Sequence, residues 1–157
     1  MLNLRPEEDK ELKEILTNIA EESKSKIVLL IDKSGQLISR SESPAFSSDD
    51  VTFASLTAGN VAASEALSKL LGDKSLNHMF TETEDEGIYM IVVAEKYILV
   101  SIFDKYATNL GIIRVKIKKY YDKLEGLMKR IEERAEKESS MPADINIEDI
   151  DLDTLFE

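Results

Sequence analysis

The five consecutive residues Ile27-Val28-Leu29-Leu30-Ile31 constrain this chain more than any other stretch. A strand with one wet face alternates apolar and polar side chains, whereas a run that is apolar and β-prone at every position needs cover on both faces. It therefore predicts a strand inside a sheet with other layers above and below it. Asp32-Lys33-Ser34-Gly35 then supplies turn chemistry, and Gln36 to Arg40 reads as the second arm of a hairpin.

The covering layers are visible as helical periodicity. In Pro6 to Glu22, Leu12, Ile15, Leu16 and Ile19 recur at the spacing of one helical face. After Pro44, Ser47, Ser48, Asp49 and Asp50 offer capping oxygens and negative charge to a second helix, which runs to Leu71 and stops at Gly72. Three strands are predicted next, Leu76 to Glu82, Ile88 to Ala94 and Tyr97 to Phe103, separated by the acidic turn Glu84 to Gly87 and by Glu95-Lys96. A last helix from Thr108 to about Glu138 carries the seam Leu110, Ile113, Ile117, Tyr120, Leu124, Leu127 and Ile131. At ~1.5 Å per residue it would be ~46 Å long, so its far end is expected to project. No internal repeat is visible. The fold class is α/β in the α+β sense, in the order α-β-β-α-β-β-β-α, with a five-stranded antiparallel sheet and helices on both faces. Residues 7–138 form the domain, and residues 139–157 read as an acidic, disordered C-terminal tail that orders on binding.

Composition narrows the partners. The formal net charge of −11 repels nucleic-acid phosphates and anionic bilayers, and favours a basic protein partner. No apolar run approaches the ~20 residues of a membrane-spanning helix. The chain has no cysteine, which excludes disulfides and thiolate chemistry, and its first residues lack the pattern of a signal peptide, so the cytoplasm is expected.

Residues for catalysis are scarce. His78 is the only histidine, on an expected strand, which leaves a triad thinly supported and paired-histidine metal sites impossible, and favours a surface or interface histidine. No GxxxxGK[ST] sequence exists, so phosphate binding by a P-loop is excluded. Glu82, Glu84, Asp85 and Glu86 fall in a solvated turn, without the desolvation that general acid work requires. Asp149, Asp151 and Asp153 imitate the opening of a calcium loop, but Thr154 stands where glycine is needed. No metal and no cofactor are expected.

The second helix carries the most informative pattern. Phe53, Leu56, Asn60, Ala63, Leu67 and Leu71 form one stripe, expected to be core, while Ser55, Ala58, Gly59, Ala62 and Ala66 form a stripe of small residues, expected to be a second contact. Gly59 costs ~1 kcal/mol relative to Ala in a helix interior, and close approach by another element would offset it. The alanines also favour helix by propensity alone.

Element order, together with Leu30-Ile31-Asp32-Lys33-Ser34-Gly35, Ala58-Gly59-Asn60-Val61-Ala62-Ala63, Lys69-Leu70-Leu71-Gly72 and Leu99-Val100-Ser101-Ile102-Phe103-Asp104, resembles the roadblock/dynein light chain family, nearest to its bacterial gliding-motility and polarity branch of the MglB type. The resemblance implies a non-catalytic homodimer joined through Leu76, Asn77, His78, Met79, Phe80, Thr81 and Glu82, pairing with their copies. It implies that Ser55, Ala58, Gly59, Ala62 and Ala66 belong to a platform for the switch regions of a small Ras-like GTPase of the MglA type. Such a platform accelerates GTP hydrolysis without supplying a catalytic arginine. It further implies a tail contact with that GTPase through Ile150, Leu152, Leu155 and Phe156, with a contribution to nucleotide exchange, and a cytoplasmic location concentrated at a cell pole. The same module also serves as a structural adaptor linking a GTPase or motor to other proteins, and fold alone does not separate the two.

Overall fold

A computed structural model describes residues 2–43, 49–72 and 76–146. In chain order these form α1 (Pro6–Ser23), β1 (Ile27–Asp32), β2 (Leu37–Arg40), α2 (Asp50–Leu70), β3 (His78–Glu82), β4 (Glu86–Val93), β5 (Tyr97–Asp104) and α3 (Leu110–Asn146). The strands make one antiparallel sheet in the order β2-β1-β5-β4-β3. Ile27 to Ile31 lie next to its centre, in register with Ile102 to Ile98, and all five are buried.

Both faces of that run are covered, as its composition demands. On one face Val28, Leu30, Leu99 and Phe103 meet Leu12, Ile15, Leu16 and Ile19 of α1 and Ile113, Ile117, Leu124 and Ile131 of α3. On the other, Ile27, Leu29, Ile31, Ile98, Val100 and Ile102 meet Ala54, Ala58 and Val61 of α2. Burying a Leu- or Ile-sized side chain contributes ~1.5–3 kcal/mol, so these two clusters dominate the stability of the sheet.

The structure departs from the sequence expectations at three elements. The acidic turn is shorter than expected, because Glu86 and Gly87 already belong to β4. Gly87 is required there: a Cβ would stand 2.8 Å from Cε2 and 2.9 Å from Cε1 of Phe103. The last helix runs on to Asn146, and its far half does not project before Glu138. It lies antiparallel to α1, with Arg130 on Glu11, Arg134 on Glu8 and Arg5 on Glu138, because the acidic first turns of α1 face arginines that the apolar seam alone does not reveal.

The third departure concerns α2. Its core stripe is Ala54, Thr57, Ala58 and Val61, whereas Leu56, Asn60, Ala63, Leu67 and Leu71 are exposed and Phe53 is half-buried. The expectation that the large residues face the core was wrong. The sheet face beneath α2 is already filled by bulky isoleucines and valines, so the helix that sits on it must turn small side chains inward.

Candidate functional site

Asp49 fixes where α2 starts: its side chain accepts the Thr52 N–H at 3.1 Å and the Thr52 hydroxyl at 2.6 Å, which holds its carboxyl below the usual range. Two ion pairs then orient the helix on the β1–β2 hairpin, Arg40 to Asp50 at 2.6 Å and Lys33 to Glu65 at 3.0 Å. The hairpin tip is shaped by Asp32, whose Oδ1 accepts the N–H groups of Ser34 and Gln36, each at 3.0 Å. Gly35, at φ +100°, lets the tip pass close to α2, since a Cβ there would stand 3.3 Å from the Cα of Ser55.

Held this way, α2 packs on β1 and β2 and presents the rest of its circumference outward. At ~100° per residue, Leu56 lies roughly 200° from the core residue Ala54, and Ala63, Leu67 and Leu70 fall on the same outer side. Leu56, Leu67 and Leu70 are 69%, 62% and 84% exposed. Nine large apolar residues are exposed among the described residues, and five of them (Val51, Leu56, Leu67, Leu70, Leu71) lie on α2 or directly after it. A helix with a buried apolar side and a second, exposed apolar side has one partner and lacks another.

The small residues flank this outer stripe. Ser55, Gly59, Ala62 and Ala66 are exposed, and nothing lies within 4 Å of a Cβ placed on Gly59. Ala58 is turned inward and is 6% exposed, so it packs against the sheet rather than joining the other four. The large outward leucines are what sequence reasoning missed as site residues. Their signal was present in the steps of four and three from Leu56 through Asn60, Ala63 and Leu67 to Leu70, but the same steps describe a core stripe.

A second open feature is the edge of the sheet. Among the described residues β3 pairs only with β4, and of its five residues His78, Phe80, Thr81 and Glu82 are exposed and Met79 is half-buried. Leu76 and Asn77 precede the strand, Leu76 half-buried under the α2 side of the sheet. Phe80 stacks on Phe103 and His78 lies 5.8 Å from the Tyr89 ring, so the strand is anchored from within while its outer backbone groups have no strand partner among the described residues. Because α2 does not extend over β3 and β4, Met79 and Ile88 stay partly uncovered beside it. The open edge and the outer face of α2 are thus the two incomplete surfaces of this half of the domain.

The arginines are placed elsewhere or already occupied. Arg5, Arg130 and Arg134 tie α3 to α1, Arg114 stands beside Tyr89, and Arg40, nearest to α2, is held by Asp50 at the start of the helix. Among the described residues there is no cluster of side chains suited to a metal, and no helix is long and apolar enough to cross a membrane. Ile150, Leu152, Leu155 and Phe156 lie outside the described residues.

The Roadblock/LC7 domain family model matches residues 11–103. Among solved structures the chain is similar to MglB of Myxococcus xanthus, with 36% identity and a TM-score of 0.69, over 76% of this chain and 96% of that one. It is also similar to the gliding protein MglB of Thermus thermophilus, with 28% identity and a TM-score of 0.75, over 82% and 96%. An MglB described with a tetrameric arrangement matches with 28% identity and a TM-score of 0.75, over 83% and 96%. No curated protein matches the sequence.

Proposed function

Because the chain belongs to the Roadblock/LC7 domain family, we propose that it is a homodimeric regulator of a small Ras-like GTPase of the MglA type, serving bacterial cell polarity or motility. The similarity to MglB structures supports a regulatory role in the broad sense. The observation that carries the finer reading is the outer side of α2, apolar, exposed and bordered by Ser55, Gly59, Ala62 and Ala66.

In this reading Leu76 to Glu82 of two copies pair edge to edge, which satisfies the outer backbone groups of β3 and removes the edge from solvent. The two α2 helices then lie on the same side of the joined sheet. Small residues let the switch regions of the GTPase approach the helix backbone closely, while the neighbouring leucines supply burial. Hydrolysis of GTP depends on holding the attacking water and stabilising charge on the phosphoryl group. A surface that holds the GTPase's own switch residues in their working positions lowers the barrier by positioning, and needs no side chain of its own at the phosphate. The occupied arginines fit that division of labour.

The first test is assembly and binding. Light scattering at micromolar concentration should give twice the chain mass of 17.7 kDa, and the dimer should bind the GTPase loaded with a non-hydrolysable GTP analogue. A monomer mass, or a dimer with no affinity for such a GTPase, would overturn the reading.

A further inference from the structure

On the face opposite α2, α3 covers β5 and β4 but leaves β3 open. The result is a cleft of about 700 Å³ floored by His78, Tyr89 and Ile91 and walled by Arg114, Val115, Lys118 and Asp122. The cleft is apolar at its base, and its rim carries the cations Arg114 and Lys118 against the one carboxylate of Asp122. That excess of positive charge is unusual in a chain of net charge −11: residues 114–123 hold five basic side chains and one acidic one, Asp122. Lys116 and Lys119 on the far side of α3 turn to Glu22 of α1, at 3.8 and 2.7 Å. Arg114 and Lys118, facing the cleft, have no carboxylate partner among the described residues, and Val115 beside them is 63% exposed. The opposing charges are found in the chain itself. Residues 147–157 contain five acidic residues, no basic one, and the apolar Ile147, Ile150, Leu152, Leu155 and Phe156.

We propose that the cleft between α3 and β3 is a docking site for residues 147–157 of a second copy of this chain, with Arg114 and Lys118 meeting its carboxylates and the floor taking its apolar side chains. The donor is a second copy because α3 leads away from its own cleft: from Ile117 to Asn146 the helix axis advances ~44 Å at ~1.5 Å per residue. The site lies on the opposite face of the sheet from α2, so it links copies without occupying the surface assigned to the GTPase. It does not depend on that assignment.

The test uses the full-length chain and a fluorescent peptide of residues 147–157, read by anisotropy. Saturable binding is expected, weakening as ionic strength rises, because the attraction of a rim with two cations and one carboxylate is screened by salt. The double variant Arg114→Glu and Lys118→Glu should weaken it at least about tenfold, as should replacing Leu152, Leu155 and Phe156 of the peptide by Ser. Leu67→Ser on α2 should leave it unchanged. Circular dichroism checks that the double variant folds, and Lys118→Ala, a milder change, should give a smaller loss in the same direction. The proposal is overturned by absence of saturable binding or by binding indifferent to Arg114 and Lys118. It is equally overturned by binding that survives loss of the peptide's apolar residues, or by a peptide that binds only when a GTPase is present.

Discussion

Replacing Ala62 by Arg separates the surface of α2 from its structural role. Ala62 is exposed in α2, one turn from the buried Ala58 and one turn from the exposed Ala66. In the free protein the new side chain enters solvent, with Glu65 three residues on, so the change in folding stability should stay within ~0.5 kcal/mol. In the complex the same side chain must fit where an Ala Cβ allowed close approach. Overpacking there costs ~1–3 kcal/mol, and a desolvated, unpaired guanidinium adds ~2 kcal/mol or more. A total of ~3–5 kcal/mol corresponds to roughly a 10²- to 10⁴-fold rise in Kd at ~1.4 kcal/mol per decade. The assay is calorimetric titration of GTP-analogue-loaded GTPase into wild type and variant, with melting temperature and light-scattering mass as controls. A Kd within about threefold of wild type, at unchanged mass and melting temperature, would refute the assignment of α2 as the GTPase surface. A variant that falls to monomer mass would move Ala62 to the contact between copies.

Two further outcomes concern the scaffold. Gly87→Ala should lower stability by ~1–3 kcal/mol, read by chemical denaturation, because its Cβ collides with the Phe103 ring that also stacks on Phe80; an unchanged midpoint would mean that Phe103 moves aside freely. Acid should loosen the contact of α1 with α3. Partial burial pushes the Glu8 carboxyl up, but hydrogen bonds from the Arg134 side chain and the Arg5 backbone outweigh it and hold it below its ordinary value of 4.5. Glu138 is held down by Arg5 and Arg134, and Glu22 by Lys119 and Tyr120. Carboxyls depressed in the folded state contribute stability that is fully present above their unfolded values and is lost as pH falls through the folded ones. The melting temperature should therefore drop below about pH 4.5, and Glu8→Gln should flatten part of that drop; parallel curves for the two proteins would contradict the assignment.

Much of this architecture was legible in residue patterns whose meaning does not depend on context. A five-residue apolar run needs two covering layers wherever it occurs, and Ile27 to Ile31 obtained them from α1 and α3 on one side and α2 on the other. Gly72, at φ +109°, ended α2 as its backbone freedom implied. What depended on the neighbouring layer was harder to read. Nothing local in Leu56, Ala63 and Leu67 tells whether they face a sheet or solvent; the bulk of Val100 and Ile102 beneath α2 decides it, and those residues lie more than thirty positions further along the chain. Gly87 looked like turn chemistry because its reason is the ring of Phe103, which only the register of β4 with β5 brings opposite. Of the small residues, Ser55, Gly59, Ala62 and Ala66 face outward, whereas Ala58 stands four residues after Ala54 and three before Val61 and so falls on the buried side of the helix.

Single-turnover GTP hydrolysis by the cognate small Ras-like GTPase, measured with and without this protein, tests the central claim most directly. The wild-type chain should accelerate hydrolysis, and Arg40→Ala, Arg114→Ala, Arg130→Ala and Arg134→Ala should each leave the acceleration in place. An arginine finger is worth ~10³–10⁵ in rate, so its loss is not mistaken for a modest binding defect. A fall of about a hundredfold or more in any one of these variants, with the complex still formed, would replace positioning by an arginine finger. A wild-type complex that forms and leaves the rate of hydrolysis unchanged would contradict the account and make the protein an adaptor.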